Sequence, residues 1–194
     1  MIFVADPAHA PQRDDLVYVR PDDLAEDGRS WRKTLLDYNR APGSNPLKLL
    51  PASSLYRHPA YGQLVSKFGI EKIFILSAGW GLIPAWFLTP AYDITFKQNV
   101  DRYKVRRKAD SYRDLSLFTA GSGETLVFLG GKDYLPFFDL LTRHDNARRI
   151  VFYNSETPPV VPGCTLQRYT TKTRTNWHYQ CAKALISGQL ALRD

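Results

Sequence analysis

Short runs of β-branched and aromatic residues alternate along this chain with helix-length amphipathic segments, the pattern of a sheet whose strands are separated by packing helices. The runs Ile2–Ala5, Val17–Val19, Ile73–Ser77, Thr125–Leu129 and Ile150–Tyr153 are short and suit a pleated surface, so they are expected strands. Apolar positions at helical spacing predict helices over Arg29–Tyr38, Ser53–Phe68, Tyr134–Thr142 and Asn176–Ser187, with a further basic helix somewhere within Asp101–Thr119. The last of the four is punctuated at both ends: Thr175 or Asn176 can cap its start, and Gly188 stands where a glycine closes a helix. Between Ala41 and Pro51, three prolines with Gly43, Ser44 and Asn45 make a linker or ordered loop. The expected architecture is α/β, a single mixed, mostly parallel sheet flanked by helices, in one domain over residues 1–194. Within it, residues 1–50 form an acidic N-terminal part and Pro-rich loop, and 51–194 form the core with a basic C-terminal helix.

Composition narrows the class. The 194 residues are 44% hydrophobic and 13% aromatic, enough for a sizeable core and inconsistent with disorder, collagen or a coiled coil. No apolar run approaches the roughly 20 residues of a membrane span, and the start of the chain does not read as a signal peptide. Cys164 and Cys181 have no partners at metal-ligand spacing, and the four histidines are isolated. The expectation is a cytoplasmic protein with reduced thiols, no metal, no cofactor and no membrane partner.

Charge adds a direction. The formal net charge is +7, yet residues 1–40 carry eight acids against six cations. The excess gathers in 97–113, where Lys97, Arg102, Lys104, Arg106, Arg107, Lys108 and Arg113 face only Asp101 and Asp110. It gathers again in 168–183, where Arg168, Lys172, Arg174 and Lys183 interleave with Tyr169, Trp177 and Tyr179 and no acid intervenes. Cations mixed with flat rings suit a phosphate backbone and exposed bases, so the expected partner is nucleic acid, most simply DNA, or a nucleotide. The residues expected to bind it are Arg102, Lys104, Arg106, Arg107, Lys108, Lys172, Arg174 and Trp177. A solvated basic face or the buried stripe of a helix would look the same in sequence.

Two expected strands run directly into glycines. The first gives Ser77-Ala-Gly-Trp80-Gly81, followed later by Pro90-Ala-Tyr92-Asp93; the second gives Gly130-Gly131-Lys132-Asp133-Tyr134. Glycines permit sharp turns and close backbone approach, and in open α/β sheets ligands gather outside the carboxyl ends of the strands. A helix start behind Gly130 and Gly131, with Lys132, would seat an anion. Neither motif is a P-loop or a dinucleotide fingerprint. The candidate catalytic residues are Asp93, Ser77 and Asp133. The candidate substrate-binding residues are Trp80, Gly81, Tyr92, Gly130, Gly131, Lys132, Tyr134 and Asn176. For these the alternatives are an Asx turn at Asp93, a cap at Asp133 and core packing for Trp80 and Tyr92. Lys172 or Arg174 is expected to lie close to the Gly130–Lys132 turn or the basic stretch.

Leu76-Ser77-Ala78-Gly79-Trp80-Gly81-Leu82-Ile83 with Pro90-Ala91-Tyr92-Asp93 resembles the Leu-Ser-(Ala/Gly)-x-(Tyr/Trp)-Gly-Leu-(Leu/Ile) … Pro-Tyr-(Asp/Arg) signature of the YaaA peroxide-stress family and related YaaA-like domains. Pro51-Ala-Ser-Ser-Leu-Tyr56 is similar to their Ala-x-x-Leu-Tyr entry, and Gly130 to Tyr134 to a later Gly-(Gly/Lys/Arg)-x-Tyr element. The resemblance spans residues 50–142; Ala91 is additional, and Asp6-Pro7-Ala8-His9 replaces the Cys-Ser or Ser-Pro and Lys of relatives. It implies a compact mixed α/β fold and an association with DNA. With the candidate residues, it leads to an expected function: processing of a nucleobase, nucleotide or DNA base by N-glycosidic hydrolysis or base exchange, in DNA modification, stress or defence. The alternative is a non-catalytic DNA- or RNA-binding module using 97–113 and 168–183.

Overall fold

A computed structural model describes residues 2–4 (as backbone), 21–56, 58–91, 94–96, 105–107, 113–121, 123–172 and 175–192. The apolar runs form the strands of a seven-stranded sheet: β1 (Ile2–Val4), β3 (Phe74–Ser77), β4 (Gly81–Pro84), β6 (Leu115–Ser116), β7 (Thr125–Leu129), β8 (Arg148–Tyr153) and β9 (Cys164–Arg168). Their order is β6-β4-β3-β1-β7-β8-β9. β3, β1, β7, β8 and β9 are mutually parallel, whereas β4 turns back antiparallel on β3 and carries β6 parallel to itself. A second, two-stranded antiparallel sheet pairs β2 (Leu50–Pro51) with β5 (Leu88–Thr89), which corrects the expectation of a single sheet.

The four helices are α1 (Trp31–Arg40), α2 (Ala60–Phe68), α3 (Leu135–Thr142) and α4 (Trp177–Ile186). In β7, Leu126 to Leu129 are all buried; alternate residues point to opposite faces, so both faces of this strand are covered. α3 packs there through Phe138 against Phe128, their rings 4.9 Å apart, and α4 lies against β7, β8 and α2. One hydrophobic cluster joins these layers, including Leu35 of α1, Leu64 of α2, Phe138 of α3 and Cys181 of α4.

The differences from the sequence reading have local causes. The helix expected over Ser53–Phe68 is broken into a 3-10 turn (Ala52–Leu55) and α2, because Pro59 disfavours helical backbone at the residue before it and itself stands at the α2 N-cap. The basic helix expected within Asp101–Thr119 is absent among the described residues of that window. Val105 instead bridges to Thr95, and Leu115–Ser116 is strand. Arg106 grips Asp114 with two bonds of 2.8 Å. The strand expected at Val17–Val19 lies outside the described residues. At the end of α4, Gly188 takes φ +72°. Gly188 donates to the Leu185 carbonyl and Gln189 to that of Ala184, at 3.2 and 2.9 Å, the double closure of a Schellman turn. At its start, Asn176 is left-handed at φ +58° and its side chain makes no capping bond.

Among the described residues, no helix is long and apolar enough to cross a membrane.

Candidate functional site

The two glycine motifs have opposite fates. After β3, Ser77 is fully buried, and its hydroxyl oxygen accepts the N–H groups of Gly79 and Trp80 at 3.2 and 2.9 Å. The turn is clamped by two guanidinium groups: Arg106 donates to the Ala78 carbonyl and Arg32 to that of Gly79, each at 3.0 Å. The next carbonyl, that of Trp80, takes the Leu115 N–H at 2.9 Å. Gly81 takes φ +99°, and a Cβ there would overlap the Leu115 carbonyl oxygen and sit 2.7 Å from its nitrogen. Close approach at this glycine is therefore approach of β6 to β4. A buried hydroxyl spent on its own turn is no nucleophile, and the fully buried Trp80 is no stacking platform. The catalytic role expected for Ser77 and the binding roles expected for Trp80 and Gly81 are corrected to structural ones.

Arg106 is corrected likewise. It is 5% exposed, makes a bidentate pair with Asp114, and lies 4.6 Å over the Phe137 ring and 5.5 Å over that of Phe96. A guanidinium consumed this way cannot meet a phosphate, whereas its neighbour Arg107 is exposed. Tyr134 is buried edge-on against Phe96 at 4.9 Å and does not line the cleft described next. Of the other expected residues, Tyr92, Asp93, Arg102, Lys104, Lys108 and Arg174 lie outside the described residues.

The second motif opens onto a cleft of about 550 Å³, a size suited to a small organic ligand. β1 is the strand at which the sheet's winding reverses: β3 lies on one side of it, and β7, β8 and β9 follow on the other. The cleft sits at the carboxyl ends of β7 and β8, next to that reversal, where the geometry of doubly wound sheets places ligands. Gly130, Gly131, Lys132 and Asp133 line it from the β7–α3 turn, and Trp177 lines it from the start of α4. Gly131 has an ordinary extended backbone, φ −74°, so this turn does not depend on glycine's conformational freedom. Asn176 precedes Trp177 but does not reach the lining.

Sequence reasoning missed the third wall. Tyr153, the last residue of β8, and Asn154, Ser155, Glu156 and Thr157 after it line the cleft as well. β8 and β9 are parallel, yet only residues 154–163 join them, and three prolines keep that return extended. Its far end is fixed by Arg149, a buried guanidinium that pairs with Asp139 of α3 at 2.8 Å and donates to the Pro162 carbonyl at 2.6 Å. Near the cleft, Asn154 donates through Nδ2 to the Tyr169 carbonyl at 2.7 Å and to Thr171 Oγ1 at 3.1 Å. These bonds bring the segment after β9 beside the cleft, with exposed Arg168 and Lys172 flanking it in sequence. The polar run Asn154-Ser-Glu-Thr at the end of an expected strand was the available signal.

The described lining thus holds two carboxylates, Asp133 and Glu156, one ammonium, Lys132, and one indole, Trp177. Among the described residues, no group of three or more His, Cys, Asp or Glu side chains is placed to hold a metal ion. Cys164 and Cys181 are free thiols. Comparison with protein-family models, with curated proteins and with solved structures finds no match to this chain.

Proposed function

We propose that the chain is a YaaA-like, nucleic-acid-associated protein that processes a nucleobase, a nucleotide or a base within DNA, by N-glycosidic hydrolysis or base exchange. The observation that carries this reading is the cleft at the ends of β7 and β8, where carboxylates, an ammonium and an indole meet. The resemblance of residues 50–142 to YaaA-like domains agrees with it.

Hydrolysis breaks the bond from C1′ to the base nitrogen, and its electron pair leaves with the base. Water attacks C1′ as positive charge develops there. A carboxylate, Asp133 or Glu156, takes the water's proton and stabilises the oxocarbenium-like centre. Lys132 hydrogen-bonds the departing base as it gains negative charge, and the proton removed from water ends on that base. In exchange, a second base replaces the water. A base still paired in duplex would first have to be flipped out and stacked on a ring such as Trp177.

Incubation with modified and unmodified DNA and with free nucleosides and nucleotides, followed by mass spectrometry, tests this. The expected result is released or replaced base from at least one substrate, lost in Asp133→Asn or Glu156→Gln. No turnover across a broad panel, or full turnover in both variants, refutes it.

The exposure of Arg107, Arg168, Lys172 and Lys183 favours the second reading, a non-catalytic binding module. It predicts affinity that falls steeply with salt, since each neutralised phosphate releases counterions. Charge reversal at Arg107 and Lys172 should abolish binding, while Asp133→Asn leaves it intact. Arg106 is not a usable probe of this, because its reversal breaks a buried pair.

A further inference from the structure

β9 is the outermost strand of the sheet on the β8 side, and only half of its backbone hydrogen-bonding groups are used. The register pairs Tyr153 with Arg168, and Tyr169 donates its N–H to the Tyr153 carbonyl at 2.8 Å. Successive residues of a strand turn their N–H and C=O to alternate sides, and in a parallel ladder a residue bonds the two that flank its opposite number. Thr165, Gln167 and Tyr169 therefore turn their backbone groups toward β8. Cys164, Leu166 and Arg168 turn theirs outward, away from the sheet. The Cys164 N–H is taken locally by the Val161 carbonyl at 3.3 Å. The N–H and carbonyl of Leu166, the N–H of Arg168 and the Cys164 carbonyl meet no partner among the described residues.

An open edge is a template for a further strand, and proteins blunt edges with short strands, proline or charge. The opposite edge, β6, is two residues long. β9 has five residues, no proline within it and no charge before Arg168 at its end. Cys164, Thr165 and Leu166 are half-buried, so a strand laid beside them covers apolar surface that the chain leaves partly open. The segment is also matched to itself. Antiparallel about Leu166, Thr165 faces Gln167 and Cys164 faces Arg168, so no like charges oppose each other. Arg168 of each copy then stands at the end where Cys164 of the other lies within electrostatic reach of the Asp139–Arg149 pair. The carboxylate is the more open member of that pair, 22% exposed against 7% for the guanidinium.

We propose that β9 is a dimerisation edge that takes a second copy of this chain, antiparallel across a two-fold axis at Leu166. Leu166 of each copy donates its N–H to the Leu166 carbonyl of the other, and Arg168 of each donates to the Cys164 carbonyl of the other. The sheet runs on through both chains, and the assembly closes because each copy has used its β9 edge. The clefts at the carboxyl ends of β7 and β8 open at opposite ends of the joined sheet, each lined by one chain. The interface is therefore independent of the chemistry proposed for the cleft.

Sedimentation velocity of the full chain from low to high micromolar concentration tests this. The sedimenting species should move from a single chain of 22.1 kDa toward twice that mass as concentration rises. Amide hydrogen exchange over the same range should slow at Leu166 and Arg168 in step with the dimer. Leu166→Pro deletes the central N–H without removing a bond to β8, and Leu166→Lys sets two ammonium groups opposite each other. Each should weaken dimerisation at least about tenfold. A melting curve checks that each folds, and the lysine variant carries the test if the proline variant does not. A monomer at every concentration overturns the proposal and leaves the edge to a strand from another protein. A dimer whose Leu166 and Arg168 amides exchange as fast as in the monomer, or whose strength the folded variants leave unchanged, puts the contact elsewhere and also overturns it.

Discussion

Replacing Gly81 with alanine separates the two glycine motifs experimentally. The position sits at φ +99°, where a side chain is strained by about 1–2 kcal/mol. The new Cβ would also overlap the Leu115 backbone, so β6 must move away from β4. That movement strips the Leu115 N–H from the Trp80 carbonyl and the Leu117 N–H from the Leu82 carbonyl, both 2.9 Å, at about 1 kcal/mol each. The sum is about 3–4 kcal/mol, a large part of the roughly 5–15 kcal/mol that holds a domain folded. In urea, with m of about 2 kcal/mol/M, the midpoint should fall by about 1.5–2 M without a change in slope. Gly131→Ala is the control: its φ is −74° and an added Cβ meets nothing within 4 Å, so its midpoint should stay within about 0.3 M of wild type. A Gly81→Ala midpoint matching that control would refute the assignment of Gly81 to close strand packing.

Arg106→Ala leaves Asp114 buried without its cation and should cost about 3–5 kcal/mol by denaturant melts, most of it recovered when Asp114→Leu is combined with Arg106→Met; no recovery would refute the pair as the cause. Burial pushes the Cys181 thiol up to about 12, so it should resist thiol reagents at pH 8 until the chain is unfolded, and rapid native labelling would contradict its position in the core. Burial, and secondarily Lys183, hold the His58 pKa below its ordinary value; its ring stacks on Tyr179 and its Nδ1 accepts the Ala60 N–H. The unfolded chain then takes up the proton first as pH falls. Stability should therefore drop below about pH 6.5 and level off once the folded form also protonates. His58→Gln should remove this component of the slope in melts between pH 7.5 and 5; an unchanged slope would exclude it.

The parts of this fold that sequence resolves are those decided locally. β7 is bounded correctly because Thr125–Leu129 is a continuous apolar run ending in glycine, and the α4 terminus because Gly188 has a local conformational task. β9 was invisible because Cys164–Arg168 alternates polar and weakly apolar residues and borrows its place from pairing with β8. β4 was hidden inside a motif whose glycines suggested a ligand, when Gly81 answers to Leu115, a residue 34 positions away. The candidate site divides the same way. Gly130 to Asp133 could be read from a strand running into glycines, but Asn154 to Thr157 become a wall only through the topology. Arg106 looked solvated among its basic neighbours because Asp114, Phe96 and Phe137, which enclose it, are assembled by the tertiary structure.

Arg32, Arg106 and Arg149 are each no more than 7% exposed. Each has an aspartate partner, Asp22, Asp114 and Asp139 respectively. One consequence concerns chemical footprinting. A dicarbonyl reagent that modifies accessible guanidinium groups will pass over these three in the folded chain, while Arg107, Arg113 and Arg168 remain open to it. Protection of those exposed groups by a bound oligonucleotide then reports contact with the nucleic acid. Modification of any of the buried three reports that the chain has opened.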